Sequence, residues 1–203
     1  MKKIDKKVTR ETRSIISSVE VRSIEDSEDR IITGYAAKYN TKSSLLKDWW
    51  GDEFVEEISP GAFDEAIRNN TIKAYLNHNT DICLGSTKST TLKLESDSVG
   101  LKFDLILPNT QAGNDLYESV KRGDIDGVSF GFNVKDDRWS EIEYEGRNIM
   151  KRTLVDVDLF EISPTPCPAY ESSEVDCRNL EKIKLEKRKQ NTNKSKLIEL
   201  MYI

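Results

Sequence analysis

Short stretches in which apolar and polar side chains alternate recur along this chain, and they constrain its fold more than any other feature. Thr90-Thr91-Leu92-Lys93-Leu94-Glu95 and Leu101-Lys102-Phe103-Asp104-Leu105-Ile106-Leu107 carry the period of a half-buried strand, with Ser98-Val99-Gly100 as the turn between them. Further strand candidates are residues 72–77, 82–86, 128–134 and 152–162. Residues 14–24 and 30–39, rich in Ile and Val on either side of the polar run 25–29, read as a hairpin. Two helices interrupt the strands. One is expected to open at Ser59 as cap with Pro60 in its first turn, burying Phe63, Ala66 and Ile67. The other runs from Thr110 to Lys121-Arg122, with Ala112, Leu116 and Val120 on one stripe and Gly123 behind its basic last turn. A charged insert near Asp136-Asp137-Arg138 has no assignable element, and Pro164, Pro166 and Pro168 are expected to end regular structure. Trp49 and Trp50, in the loop before residue 52, read as packing residues. Many short strands and two short helices give a compact β-barrel or α+β domain, mainly β, over residues 14–170. Residues 1–13 and 171–203 are then basic tails, the second with a helix near 179–190.

The chain of 203 residues is one main domain by length. It is 36% apolar and 33% charged. No window is apolar for long enough to span a bilayer, and the basic start at Lys2-Lys3 has no apolar segment behind it, so neither a membrane span nor a secretory signal is expected. Three cysteines, Cys83, Cys167 and Cys177, without CxxC spacing, suit a reducing compartment and provide neither a disulfide framework nor a zinc site. No cofactor or metal is expected. The net charge of −5 hides an acidic body between basic ends. Such ends are ordinarily solvated segments; their functional reading is recruitment to an acidic partner or removal by cleavage. An acidic body also argues against nucleic-acid binding, which needs a basic face.

The chain has one histidine, His78, so imidazole chemistry must run through it. It sits in Asn77-His78-Asn79-Thr80, a polar strand end from which a ring can reach a second element. A candidate nucleophile, Ser129, lies in Gly127-Val128-Ser129-Phe130-Gly131-Phe132, where small neighbours allow close backbone approach by a substrate. A serine hydroxyl needs an adjacent base, and that base needs an orienting acid. The acids at hand are in Asp156-Val157-Asp158-Leu159-Phe160-Glu161-Ile162-Ser163. Strict alternation puts Glu161 on the apolar face with Val157 and Leu159, where an ionised group most needs a partner. Each residue alone also reads as an ordinary surface histidine, packed serine or structural ion-pair acid. Cys83 and Cys167 as cysteine nucleophiles are a rival, though both read as packing thiols.

Taken in order, these features resemble a known family. Ile32-Thr33-Gly34-Tyr35-Ala36-Ala37, Glu57-Ile58-Ser59-Pro60-Gly61-Ala62-Phe63, Leu76-Asn77-His78, Gly113-Asn114-Asp115-Leu116, the Ser129 segment and Leu159-Phe160-Glu161-Ile162-Ser163 with Pro168-Ala169 are similar to the tailed-phage prohead maturation proteases. These are serine peptidases related to the herpesvirus capsid assembly protease. The resemblance covers about Val19 to Ala169. It implies a closed β-barrel with a few short helices, Ser129 as nucleophile and His78 as general base. The herpesvirus relatives use a second histidine as third member. None is present here, so Glu161, with Asp158 behind it, takes that place, or the site runs as a dyad. Thr165 or Cys167 amides are the remaining oxyanion donors near the prolines. The implied substrates are the scaffold segment of the major capsid protein, other procapsid proteins and the chain itself. The implied setting is the assembling procapsid in the host cytoplasm, and the herpesvirus relatives' dimers imply a homo-oligomer. The alternative on the same fold is a non-catalytic procapsid assembly or scaffold protein.

Overall fold

Alternating side chains sort this chain between two sheets. The computed structural model describes residues 10–16, 19–22, 30–48, 50–166 and 174–175. Its strands are β1 (Glu11–Ile16), β2 (Glu20–Arg22), β3 (Ile31–Lys38), β4 (Leu46–Asp48), β5 (Glu53–Ile58), β6 (Lys73–Leu76), β7 (Asn79–Ser86), β8 (Leu92–Ser96), β9 (Gly100–Ile106), β10 (Gly127–Tyr144), β11 (Arg147–Thr165) and β12 (Glu174–Val175). The helices are α1 (Asp64–Asn69) and α2 (Gln111–Arg122). One sheet has the order β1-β10-β11-β5-β4-β12, with β6 on β11 and β7 on β6; the other has the order β2-β3-β9-β8. Ile32, Leu105, Phe63, Phe130, Phe132 and Leu154 from both sheets and the α1 turn fill one shared core.

The mainly β architecture agrees with the alternation, but among the described residues the expected closed barrel is not found. Among the described residues the strands make two separate sheets, and no strand ladder joins them. One edge of β11 is divided: β5 takes residues 150–154 and β6 takes residues 161–162, both parallel. The other edge is filled by β10. Closure would have to run through the outer strands, β1, β12 and β7 of the large sheet and β2 and β8 of the small one, and among the described residues no ladder links the two sets.

Other expectations are corrected in detail. Residues 14–24 are not one strand: β1 joins the large sheet beside β10, while β2 pairs with β3 in the small one. β1 also starts at Glu11, inside the segment read as a tail. Ser59 does not cap a helix. Its carbonyl accepts the Ala62 N–H at 3.2 Å across Pro60-Gly61, and Gly61 has φ of +84°, the arrangement of a type II turn. α1 starts later, after Phe63, without a side-chain cap. α2 follows its expected bounds, with Thr110 Oγ1 accepting the Gly113 N–H. The unassigned stretch 135–151 is the far half of a long β10–β11 hairpin. Its turn, Glu145-Gly146 with φ of +49° and +75°, is a two-residue type I′ connection between Tyr144 and Arg147. Pro164 does not end β11, which runs on to Thr165. Trp50 is 69% exposed rather than packed. Trp49, Cys167, Pro168, Cys177 and the helix expected near 179–190 lie outside the described residues. Among those residues no helix is long and apolar enough to cross a membrane.

Candidate active site

His78 stands at the tip of the β6–β7 hairpin. Leu76 pairs with Asn79, so Asn77-His78 is a two-residue turn, and both residues have positive φ, 48° and 60°. Left-handed backbone is uncommon outside glycine, and asparagine and histidine are among the residues that best tolerate it. The turn is tied to the end of β11 at three points. The Asn77 N–H donates to the Pro164 carbonyl at 3.1 Å. The Thr165 hydroxyl donates to Asn77 Oδ1 at 2.9 Å. The His78 N–H donates to Ser163 Oγ at 3.2 Å.

These ties aim the ring at Glu161. His78 Nδ1 lies 2.8 Å from Glu161 Oε1, with the carboxylate fully buried and the imidazole 32% exposed. Ser163 donates its hydroxyl to Glu161 Oε2 at 2.7 Å. Arg10 Nη2 lies 2.7 Å from Oε1 and its guanidinium stacks 4.4 Å over the Phe160 ring. Burial pushes the Glu161 carboxyl up, but hydrogen bonds from His78, Ser163 and Arg10 outweigh it and hold the group below the usual glutamate range. An ionised Glu161 makes Nδ1 the donor and leaves Nε2 as the basic nitrogen.

Glu161 reaches this position through a break in alternation. Gly131 pairs with Glu161 and Phe132 with Leu159, so β11 has one extra residue there. The bulge turns Glu161 away from the face of Val157 and Leu159, to which strict alternation assigns it. It joins the Gly131 side instead: a Cβ on Gly131 would lie 2.6 Å from Glu161 Oε1 and 2.8 Å from its Cγ. Asp158 stays away from the histidine, accepting from Asn70 Nδ2 at 2.7 Å, and Asp156 faces Lys135 at 3.9 Å.

Ser129 lies on the same face of β10, two residues before Gly131 and directly opposite Ser163. It is fully buried. Its hydroxyl donates to the carbonyl of Arg13 on β1 at 2.9 Å, and not to His78. The histidine and the acid are thus brought together, while the serine shares their sheet face under a strand of the chain itself. β1 is held by a square of buried charges. Arg13 Nε and Nη2 meet the Glu56 carboxylate at 2.6 and 3.0 Å, and Nη2 meets Glu11 at 2.7 Å. Arg152 Nη1 meets Glu11 at 2.9 Å and Glu56 at 3.3 Å, and its Nε meets Asp137 at 2.8 Å.

Sequence reasoning did not find Ser163, Arg10, Gly131 or this square. Ser163 had a legible signal, since it follows Glu161 by two residues on one strand. Arg10 and Arg13 lay in the segment read as a tail. Of the amides expected to serve the oxyanion, that of Thr165 belongs to the last pair of the β10–β11 ladder, opposite Gly127, and that of Cys167 lies outside the described residues. Cys83 is exposed on β7, and its thiol contacts the Gly85 carbonyl at 3.6 Å rather than His78.

Comparisons with known proteins give this two-sheet fold a family. The family of caudovirus prohead serine proteases matches residues 17–188, and the chain belongs to it. A relative described as the prohead protease of Enterobacteria phage HK97 is 30% identical over 158 residues, which is 76% of this chain. The match spans 62% of that relative's length. Among solved structures, the capsid assembly protease of bacteriophage T4 superposes with a TM-score of 0.52 at 10% identity, covering 78% of this chain and 98% of that one. At that identity the likeness concerns the fold alone.

Proposed function

We propose that this chain is a serine endopeptidase of phage head maturation. Ser129 attacks a peptide carbonyl carbon while His78 Nε2 takes the hydroxyl proton. His78 returns that proton to the leaving amine, and water repeats the sequence to free the acyl-enzyme. Glu161 holds the ring in the Nδ1–H tautomer and stabilises its charged form. Backbone donors serve the tetrahedral oxyanion. The substrates are the scaffold segment of the major capsid protein, other procapsid proteins and the chain itself, within the assembling procapsid. The observation that carries this reading is the 2.8 Å His78–Glu161 contact on the sheet face that also presents Ser129.

The Ser129 hydroxyl is engaged by Arg13, so the arrangement is a closed one. Departure of β1 removes that acceptor and opens the β10 edge to a substrate strand. Co-expression with the major capsid protein tests the reading. The intact chain should yield a shortened capsid band, and Ser129→Ala should abolish it. A shortened band that persists with Ser129→Ala would remove Ser129 from the mechanism, and no shortening with the intact chain would favour an assembly protein on the same fold.

A further inference from the structure

The charge square around Arg13 is built half from β1 and half from the body. β1 supplies Glu11 and Arg13, two residues apart on one face; β5 supplies Glu56 and β11 supplies Arg152. Each cation touches both glutamates. The Arg13 guanidinium also lies 5.5 Å from the Phe132 ring centre, and its Nη1 donates to the Thr12 carbonyl at 2.8 Å. The carbonyl of this same residue accepts from Ser129. β1 is antiparallel to β10 through Glu11↔Phe132 and Arg13↔Phe130, the pairing by which an added strand docks on a sheet edge.

We infer that the body half of this square, Glu56 and Arg152 with the Phe132 face, is a specificity site for an extended substrate strand carrying a basic residue whose carbonyl meets Ser129 and an acidic residue two positions before it. The inference rests on Ser129 as the reacting serine. When β1 leaves, the body keeps Glu56 beside Arg152 and Arg152 beside Asp137, and the places of Arg13 and Glu11 stand open to an incoming strand. A strand with the same charge order repairs both corners; the reversed order sets acid against Glu56 and base against Arg152. A buried charge without a partner is disfavoured strongly enough to give discrimination, and the reversed order adds like-charge repulsion.

The test uses the full-length Ser129→Ala chain and four fluorescent hexapeptides in one frame. Their variable triplets are Glu-Thr-Arg, Ala-Thr-Arg, Glu-Thr-Ala and Arg-Thr-Glu, and binding is read by anisotropy. The Glu-Thr-Arg peptide should bind at least tenfold more tightly than Glu-Thr-Ala, with Arg-Thr-Glu weakest. Glu56→Gln should shrink the Arg-to-Ala ratio by severalfold, whereas Lys93→Gln, on the other sheet, should leave it alone. Equal affinities, a preference for the reversed peptide, or no binding of any peptide would overturn the inference. Cleavage of the same peptides by the chain with Ser129 intact is scored separately. Selective binding without cleavage would sustain the slot and sink the peptidase reading; cleavage without charge preference would do the reverse.

Discussion

At the scale of single residues, the site depends on a buried carboxylate with three polar neighbours. Replacing Glu161 by Gln keeps the shape and removes the charge that fixes the His78 tautomer. The expected loss in kcat is about 10³–10⁴-fold, by analogy with loss of the orienting acid in a serine triad, read on a peptide substrate with fold checked by circular dichroism. The same residue sets a pH dependence. Its native carboxyl titrates below the ordinary glutamate value of about 4.3, so as pH falls the unfolded chain takes up the proton first. Its stabilising contribution is therefore complete above that ordinary value and is lost as pH drops through the native one. Urea unfolding at stepped pH should show a shallower acid decline for Glu161→Gln than for the unsubstituted chain; parallel curves would contradict the assignment. Gly131 is the second control. An alanine there would press on Glu161 Oε1 and Cγ and on Phe160. Gly131→Ala should lower kcat by about 10²-fold, the scale of an ångström's misplacement, with the fold retained in the same spectra.

At the scale of elements, the helix after Thr110 and the strand pair around Gly100 were legible because each is decided locally, by a cap or by alternation. The misread elements were decided elsewhere. Ser59-Pro60-Gly61 carries helix-start residues, yet the left-handed glycine closes a turn before α1 begins. The stretch 135–151 looked irregular because charged residues interrupt its few apolar ones; Trp139 and Met150 find their apolar partners on Phe54 and Leu46, far off in sequence, and the ladder between the two arms does the rest. β1 was hidden for a related reason. Arg10, Glu11 and Arg13 read as a solvated basic end, and only β5 and β11 supply the opposite charges that bury two of them. That element also holds the Ser129 hydroxyl, through the Arg13 carbonyl. Arg13→Ala leaves Glu56 and Glu11 short of a cation, and breaking a buried pair in this way costs about 3–5 kcal/mol. The loss should fall on β1 docking. A serine-directed fluorophosphonate should therefore label Ser129 faster in Arg13→Ala than in the intact chain, as followed by intact mass. Equal labelling rates would mean that β1 does not govern access.

At the scale of the whole molecule, the core and the site are the two faces of one strand. Val128, Phe130 and Phe132 enter the core between the sheets, while Ser129 and Gly131 face Ser163 and Glu161. This explains why the serine segment was readable and the barrel was not. The alternation of large apolar and very small residues is a property of a few neighbours, whereas sheet closure depends on whether outer strands far apart in the chain, such as β1 and β8, meet. Phe130 is the point where the two demands meet. Its ring packs edge-on to Phe63 at 5.6 Å and stacks on Phe132 at 5.2 Å, with no exposed surface. Truncation to alanine removes both ring contacts and leaves a cavity beneath the serine, so the expected destabilisation is about 3–5 kcal/mol. Phe130→Leu keeps most of the volume and should cost less. If the strand transmits core packing to the site, both variants should also lose turnover under conditions where they remain folded, with alanine losing more. Chemical denaturation and turnover measured on the same preparations check this. A large stability loss with undiminished kcat in the folded fraction would show that Ser129 is held by its ladder alone and not by the core behind it.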